Sequence, residues 1–595
     1  MIGFCKKRRR EMVDLQEYFP REKNGGKLFF WSANESDNQT AFAAREPFFS
    51  AEWDQCLVIM QGICHPGGVA TPNSIQHFLN DFLRRYRESG EFPAPQHDGS
   101  YTISILDGKN GKAFLYRHFV GGSFTYYTMT DDGLFWSDNF WKTVQTRRSD
   151  KQLHEEMLPV LFLGRYPTGN QTLIQNVFRL SPGELVAFDG DAFYVKQITT
   201  LKDFVESHKT DEKESIERIE VVTTEILHDW GQLHPNTVNL LSGGVDSTYL
   251  QIHWNDEWSC MSEQKPLSAC VWLDHPFVKG DLNYANSAAE LLQTEHITVQ
   301  QPELSPEQMT EIIGRNGEFP NHVQSFYFDT LAKGLKELHI EAGMIGEGAD
   351  GLFGNGLQDT IREAIKWRER LPSQTLRRIA AFGAEKLGHE YAAENIRTAQ
   401  IIDQLENPHH PVNQAAVFTD YPTVFACFGE STVRNAVDYK LNLLQAIGVP
   451  DDSLHFQWSL AAGYYWEAVV SASYWSKLFA ENGLAMCTPY LDSRLIRAAL
   501  NMDLKTHFPP HQPKRILKQT LLRHIPPEFV NRPKLGFGQP IFEWLSLGGV
   551  LRERAESIRT TGWFSESTKQ TLLKKPNWFL WTMLCYDIWY DVFFG

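Results

Sequence analysis

Thr237-Val238-Asn239-Leu240-Leu241-Ser242-Gly243-Gly244-Val245-Asp246-Ser247 decides the fold of the larger part of this chain. The apolar run 237–241 reads as a strand, Ser242-Gly243-Gly244 as a tight loop, and Thr248 onward as a helix. Two adjacent glycines permit backbone angles closed to other residues and let a ligand approach the main chain. The first amides of a helix have no intrahelical partner, and the helix dipole adds positive potential there, so an anion belongs at this end. Val245 belongs to the same gripping loop, and Ser242 and Ser247 add hydroxyl donors. Asp246 is out of place beside an anion unless it holds a cation, and Mg2+ takes carboxylate together with phosphate oxygens. The loop lacks the Gly-x-x-x-x-Gly-Lys-Ser/Thr pattern and is not a Walker loop.

Working outward, a helix over about 214–230 precedes this unit. A strand at 267–273, a helix at about 282–293 and a short strand at 297–299 follow it. Strands alternating with helices predict a parallel sheet covered on both faces. Residues 355–595 read as mostly helical and rich in aromatics, and 355–480 carry no readable motif. Upstream, 27–200 have a β-rich texture. Runs such as Cys56-Leu57-Val58-Ile59-Met60 and Tyr101-Thr102-Ile103-Ser104-Ile105-Leu106 end at Gly or Asp turns. Asp107-Gly108-Lys109-Asn110-Gly111 is a hairpin connection, and one helix is expected at about 73–88. The charged stretch 201–214 reads as a linker, and the polar, basic residues 1–26 as a loose lead-in. The expected divisions are therefore 1–26, 27–205 and 212–595.

With 595 residues, 42% hydrophobic and 22% charged, the chain is ordinary for a globular protein and can bury a large core. A net charge of −16 argues against nucleic acid as the main partner. The eight cysteines form no Cys-x-x-Cys pair, which fits a reducing cytoplasm and no zinc site. The basic run 6–10 is followed by no apolar stretch, so it does not read as a secretory signal. No apolar run approaches the roughly 18–20 residues that span a bilayer, so no membrane is expected as a partner. His409-His410, between prolines, reads as a loop and not as a metal site.

The loop resembles that of the ATP pyrophosphatase families, which cleave ATP between its α and β phosphates. Three further stretches narrow the resemblance: Gly346-Glu347-Gly348-Ala349-Asp350-Gly351-Leu352-Phe353-Gly354, Thr488-Pro489-Tyr490-Leu491-Asp492, and Arg532-Pro533-Lys534-Leu535-Gly536-Phe537 with Pro540 and Trp544 beyond. In this order over 220–545 they resemble the synthetase domain of the asparagine synthetases. The resemblance implies a C-terminal adenine-nucleotide α-hydrolase-like sheet with a helical extension, using ATP and Mg2+. It implies that Asp246 and Asp350 share Mg2+, that Leu241 and Val271 line the adenosine pocket, and that Ile345 and Gly346 touch the nucleotide. Glu347 would sit beside an acyl-adenylate and handle the proton of the attacking amine. Lys534 would stabilise charge on the transferring phosphoryl group and the leaving pyrophosphate. Where family members usually have Asp-Glu, this chain has Asp350-Gly351, which puts in doubt any substrate contact of the missing carboxylate.

Residues 27–205 resemble, more weakly, the family's glutamine-hydrolysing domain, an N-terminal-nucleophile (Ntn) hydrolase with an αββα sandwich. Gln61-Gly62-Ile63 stands where Asn-Gly-Glu-Ile is expected, Asp98-Gly99-Ser100-Tyr101 and Leu180-Ser181-Pro182-Gly183 match flanking stretches, and Arg117-His118-Phe119-Val120-Gly121 is similar to the Asp-x-x-Gly turn. The family's nucleophile is a cysteine at residue 2, whose free α-amine acts as base. Here residue 2 is Ile and Cys5 lies further in, so the domain is expected to be kept for structure with glutamine hydrolysis lost. The resemblance then implies a ligase that joins a small-molecule or peptide carboxylate to an amine, in specialised metabolism. An ammonia- or glutamine-dependent asparagine synthetase, a β-lactam synthetase and a lasso-peptide cyclase stay open as alternatives. β-Lactam synthetases tend to carry Tyr at the position of Glu347. A nucleotide-binding module without turnover is the reading from a different class, and a homodimer or a pathway protein is left open as partner.

Overall fold

The computed structural model describes residues 1–6, 28–35, 38–45, 48–66, 69–95, 97–118, 124–147, 151–164, 168–275, 279–317, 324–355, 357–389, 392–393, 395–397, 399, 420–448, 468–532 and 539–595. His409-His410 and the basic residues 7–10 lie outside them, as does Lys534.

Among the described residues, twelve strands build the first part of the chain. They are β1 Ile2–Lys6, β2 Leu28–Glu35, β3 Asn38–Arg45, β4 Phe49–Trp53, β5 Cys56–Cys64, β6 Gly99–Asp107, β7 Lys112–Arg117, β8 Tyr126–Met129, β9 Gly133–Ser137, β10 Phe178–Arg179, β11 Glu184–Phe188 and β12 Phe193–Gln197. They form two antiparallel six-stranded sheets, ordered β10-β8-β9-β1-β3-β2 and β12-β11-β7-β6-β5-β4. Side chains alternate across a strand. On β5, Leu57 and Ile59 enter a core with Cys5, Phe42 and Trp136 of the other sheet. Val58 and Met60 enter a second core beneath the helix Pro72–Ser89, with its Ile75, Leu79 and Phe82. Thr71 and Ser74 cap that helix reciprocally, and Gly90 ends it in the left-handed region.

The loose lead-in expected over 1–26 is overturned at its start. Ile2–Lys6 is a fully buried strand between β9 and β3. The apolar Ile2-Gly3-Phe4-Cys5 is too short to stand out beside the basic run. Its burial depends on a long-range fit: a Cβ at Gly3 would lie 2.0 Å from the Trp136 ring. The 201–214 stretch includes the buried Leu201 and Phe204 and leads into the helix Glu212–Leu233.

Among the described residues the second part holds five parallel strands: β13 Thr237–Leu240, β14 Leu267–Leu273, β15 Glu295–Gln301, β16 Ala342–Met344 and β17 Ala485–Cys487. Their order is β15-β14-β13-β16-β17. From β13 the chain winds to β14 on one side and later returns to β16 on the other. The carboxyl ends of β13 and β16 therefore flank the point where the winding reverses, and open α/β sheets bind ligands at such a crevice. Among the described residues no helix is long and apolar enough to cross a membrane. No disulfide joins any of the eight cysteines, all of which are described.

Buried charge ties the two parts together. His65, just after β5, has Nδ1 2.7 Å from Asp229 Oδ2 and Nε2 3.2 Å from Asp492 Oδ2. Arg494 reaches both carboxylates, Asp229 at 2.9 Å and Asp492 at 3.2 Å. Both ring nitrogens can donate to carboxylates only in the imidazolium form. Burial opposes that charge, but the hydrogen bonds to Asp229 and Asp492 outweigh it and hold the His65 pKa above its ordinary value. A raised histidine pKa contributes stability that is fully present below the unfolded value of about 6.5 and is lost as pH rises through the folded value. His65→Gln is therefore expected to lower Tm more at pH 6 than at pH 9, measured by thermal unfolding. An equal loss at both pH values would mean the imidazolium is not what stabilises the contact.

Candidate functional site

The site is built where the chain leaves β13. Asn239 points into the sheet's covering layer and donates to Ser247 O at 2.9 Å and Gln251 Oε1 at 2.8 Å, strapping the helix Val245–Met261 to its strand. The Ser242 amide donates to Ser247 Oγ at 3.2 Å, the two serine hydroxyls lie 3.1 Å apart, and the Gly244 amide donates to Ser242 Oγ at 3.3 Å. These bonds hold the turn that aims the helix start at the crevice. Gly243 has φ +72°, and a Cβ there would stand 2.4 Å from the Tyr284 carbonyl oxygen. The Arg532 guanidinium lies 3.5 Å from the centre of the Tyr284 ring and donates to Gly243 O, so the loop is clamped from the far end of the sequence.

Of the residues expected to line the nucleotide pocket, Leu241 is wholly buried in a small cluster with Ala288 and Ala289. Its amide donates to Ala269 O at 2.8 Å. Val271 is buried near the end of β14. Ile345 is buried, and its amide donates to Cys487 O at 3.0 Å. Gly346 packs so closely that a Cβ would lie 3.0 Å from Asp246 Cβ, which brings the loops after β13 and β16 into contact. Glu347 is half-buried on the same loop. Lys534, the catalytic lysine the resemblance implies, lies outside the described residues.

Asp246 and Asp350 come together from the first turns of two helices, Val245–Met261 and Ala349–Phe353. Between them sits a residue to which the sequence assigns no role. Lys514 Nζ is 2.5 Å from Asp246 Oδ2 and also pairs with Asp350 Oδ1. Lys514 is only 5% exposed. Burial alone would lower its pKa, but Asp246 and Asp350 override burial and hold it well above the usual lysine value. Its backbone is in the left-handed region, φ 59° and ψ 29°, and its amide donates to Phe353 O at 2.9 Å. That conformation costs a non-glycine residue about 1–2 kcal/mol, and such strain gathers at functional sites. One turn on, Lys518 is half-buried, and its pKa is lowered by burial and then by the Lys514 charge. Tyr490, wholly buried, donates its hydroxyl to Asp246 O at 3.1 Å. The nearest sequence signal for Lys514 is a lysine before a short helix after Pro513, which no spacing distinguishes from a surface lysine.

The Asp246 and Asp350 carboxylates, both paired with the Lys514 ammonium, offer oxygen ligands of the kind a hard divalent cation takes, next to a cradle of amides suited to phosphate. Asp246 and Asp350 are the residues that would hold the cation.

A family model described as "Asparagine synthase" matches residues 237–590. A second, "Glutamine amidotransferase domain", matches 81–198. The chain is similar to "Asparagine synthetase [glutamine-hydrolyzing] 1" of Bacillus subtilis (strain 168), with 21% identity over 552 residues, covering 86% of this chain and 80% of that one. It also shares 9% identity with a solved structure described as the allosteric regulatory enzyme of purine biosynthesis, covering 51% of this chain and 81% of that one. The TM-score of that overlap is 0.21, too low to bear on the fold.

Proposed function

The chain belongs to the asparagine synthetase family of ATP-dependent amide-forming ligases, and we propose that it activates a substrate carboxylate as its adenylate and passes the acyl group to an amine in specialised metabolism. The observation that carries this reading is the meeting of Asp246, Asp350 and Lys514 beside the Ser242–Ser247 hydrogen bond, at the carboxyl ends of β13 and β16. On this reading the parallel sheet is an adenine-nucleotide α-hydrolase-like fold, and the two antiparallel sheets are a degenerate Ntn-hydrolase-like sandwich.

A carboxylate oxygen of the substrate attacks the α-phosphorus of ATP, and the bond to the β-phosphate oxygen breaks with release of pyrophosphate. The amine nitrogen then attacks the acyl carbon, AMP leaves with the bridging oxygen, and the amine's proton is lost. The amides from Gly243 to Ser247 would receive the pyrophosphate end. Lys514 would neutralise the carboxylates that face the phosphates, Lys534 would oppose charge on the leaving pyrophosphate, and Glu347 would accept the amine's proton. Mg2+, held by Asp246 and Asp350, would supply a further positive charge to the phosphate oxygens. Binding carboxylate and amine in one pocket replaces an encounter in solution, worth roughly 7–11 kcal/mol in favourable cases.

The amine would not come from glutamine hydrolysed by this chain. The Cys5 thiol is wholly buried in the core between the two sheets, where no substrate reaches it. The absence of disulfides fits a cytoplasmic enzyme.

ATP–pyrophosphate exchange, screened against aspartate, amino diacids and peptides with AMP detected, tests the reading. Asp246→Ala is expected to abolish the exchange. ADP as the product would overturn adenylation, and glutamine hydrolysis by the purified protein would overturn the account of the first part.

A further inference from the structure

The short helix Arg515–Leu521 follows Lys514 and packs along the helix Val245–Met261, whose first turn carries Asp246. The cations on and around this short helix are matched with carboxylates, save one. Lys514 pairs with Asp246 and Asp350. Arg515 Nε lies 2.8 Å from Glu212 Oε1, and Arg523, just beyond the helix, pairs with Glu220. The Lys518 ammonium, by contrast, makes no hydrogen bond or salt bridge among the described residues.

Its place is set by the helix. The Lys518 amide donates to Lys514 O at 3.0 Å, so Lys518 stands one turn beyond the lysine that joins the two carboxylates. Helical side chains lean back over the preceding turn, which sends the long Lys518 chain towards Lys514 and the glycine-loop crevice. Lys518 is half-buried. Burial and the Lys514 charge lower its pKa while Asp246 opposes them, so the group feels both charges of the crevice. A half-buried ammonium beside a like charge, with no carboxylate of its own, is poorly placed until an anion arrives. The crevice is shaped for one such anion: the helix start and the Ser242 and Ser247 hydroxyls suit phosphate oxygens.

We propose that Lys518 binds the pyrophosphate end of the nucleotide, its ammonium meeting a β- or γ-phosphate oxygen of ATP laid against the loop Ser242–Ser247. This rests on the adenylation reading of the same site and adds to it a residue that holds the leaving group.

The test uses the full chain with Mg2+ present and titrates inorganic pyrophosphate and AMP separately by calorimetry. Lys518→Met is expected to raise the pyrophosphate Kd by about 10–100-fold, the usual loss of one charged hydrogen bond, and to leave AMP binding as in the wild type. A merely structural role would weaken both probes together, and that result would overturn the proposal. So would wild-type affinity for pyrophosphate in Lys518→Met. Either outcome leaves the adenylation reading standing. A wild-type protein that takes up neither probe would instead overturn that reading, and this proposal with it. Should Lys518→Met fail to fold, Lys518→Gln, which keeps a polar side chain, decides by the same titration.

Discussion

Lys514→Met is expected to lower ATP–pyrophosphate exchange by about 10²–10³-fold, the usual consequence of deleting one preorganised electrostatic contact at a site of developing charge. The ammonium is the shared partner of Asp246 and Asp350. Without it, Asp246 and Asp350 lose the cation they share, and on the proposed function the phosphates meet more negative charge there. Removing one partner of a buried charge cluster costs about 3–5 kcal/mol when every member is dry. The Asp350 side chain is 40% exposed, so solvent screens part of that loss, and a fall of about 1–3 kcal/mol is expected here. Lys514→Arg should not restore exchange, because a planar guanidinium does not occupy the position of a compact ammonium. Exchange assays and thermal unfolding on the same preparations separate the two effects. A folded Lys514→Met protein with wild-type exchange would remove Lys514 from the site.

Gly243→Ala is expected to abolish nucleotide binding, whereas Gly244→Ala should leave the fold nearly unchanged. Gly243 has φ +72°, and its new methyl would lie 2.4 Å from the Tyr284 backbone carbonyl. The left-handed conformation alone costs about 1–2 kcal/mol in a residue with a Cβ. The clash cannot be relieved by turning a side chain, so the loop or the helix Lys279–Leu291 must move. Either movement disturbs the Arg532 clamp and the amides of the helix start. Gly244 has φ −69°, ordinary for any residue, and its Cβ would meet only Ser242 Oγ at 3.3 Å. Calorimetric titration with a non-hydrolysable ATP analogue distinguishes the two variants. Equal loss of binding in both would mean that bulk near the phosphates matters, and the positive φ does not.

Local pattern carried much of this molecule. An apolar run, two glycines and a helix start are neighbours in the chain, so β13, its loop and the helix Val245–Met261 could be read from Thr237 to Met261 directly. The same holds for β14, for the helix Pro72–Ser89 and for the hairpin after Asp107, where period and turn residues are local. Asp246 was singled out from the loop itself and Asp350 only through the family resemblance, and folding brings both to Lys514.

What only the tertiary structure decided concerns residues whose role depends on distant partners. Ile2–Lys6 became an inner strand because β9 and β3 flank it and Gly3 admits Trp136. Arg532 became a clamp because folding carries it over Tyr284, 248 positions earlier in the chain. Lys514 stands 268 residues from Asp246, and nothing in its neighbours announces a strained, buried ammonium. The sequence by itself determined a glycine loop between a parallel strand and a helix, and offered two carboxylates beside it. The cation that balances those carboxylates was decided only in three dimensions, because charge compensation acts through space and leaves no period in the chain.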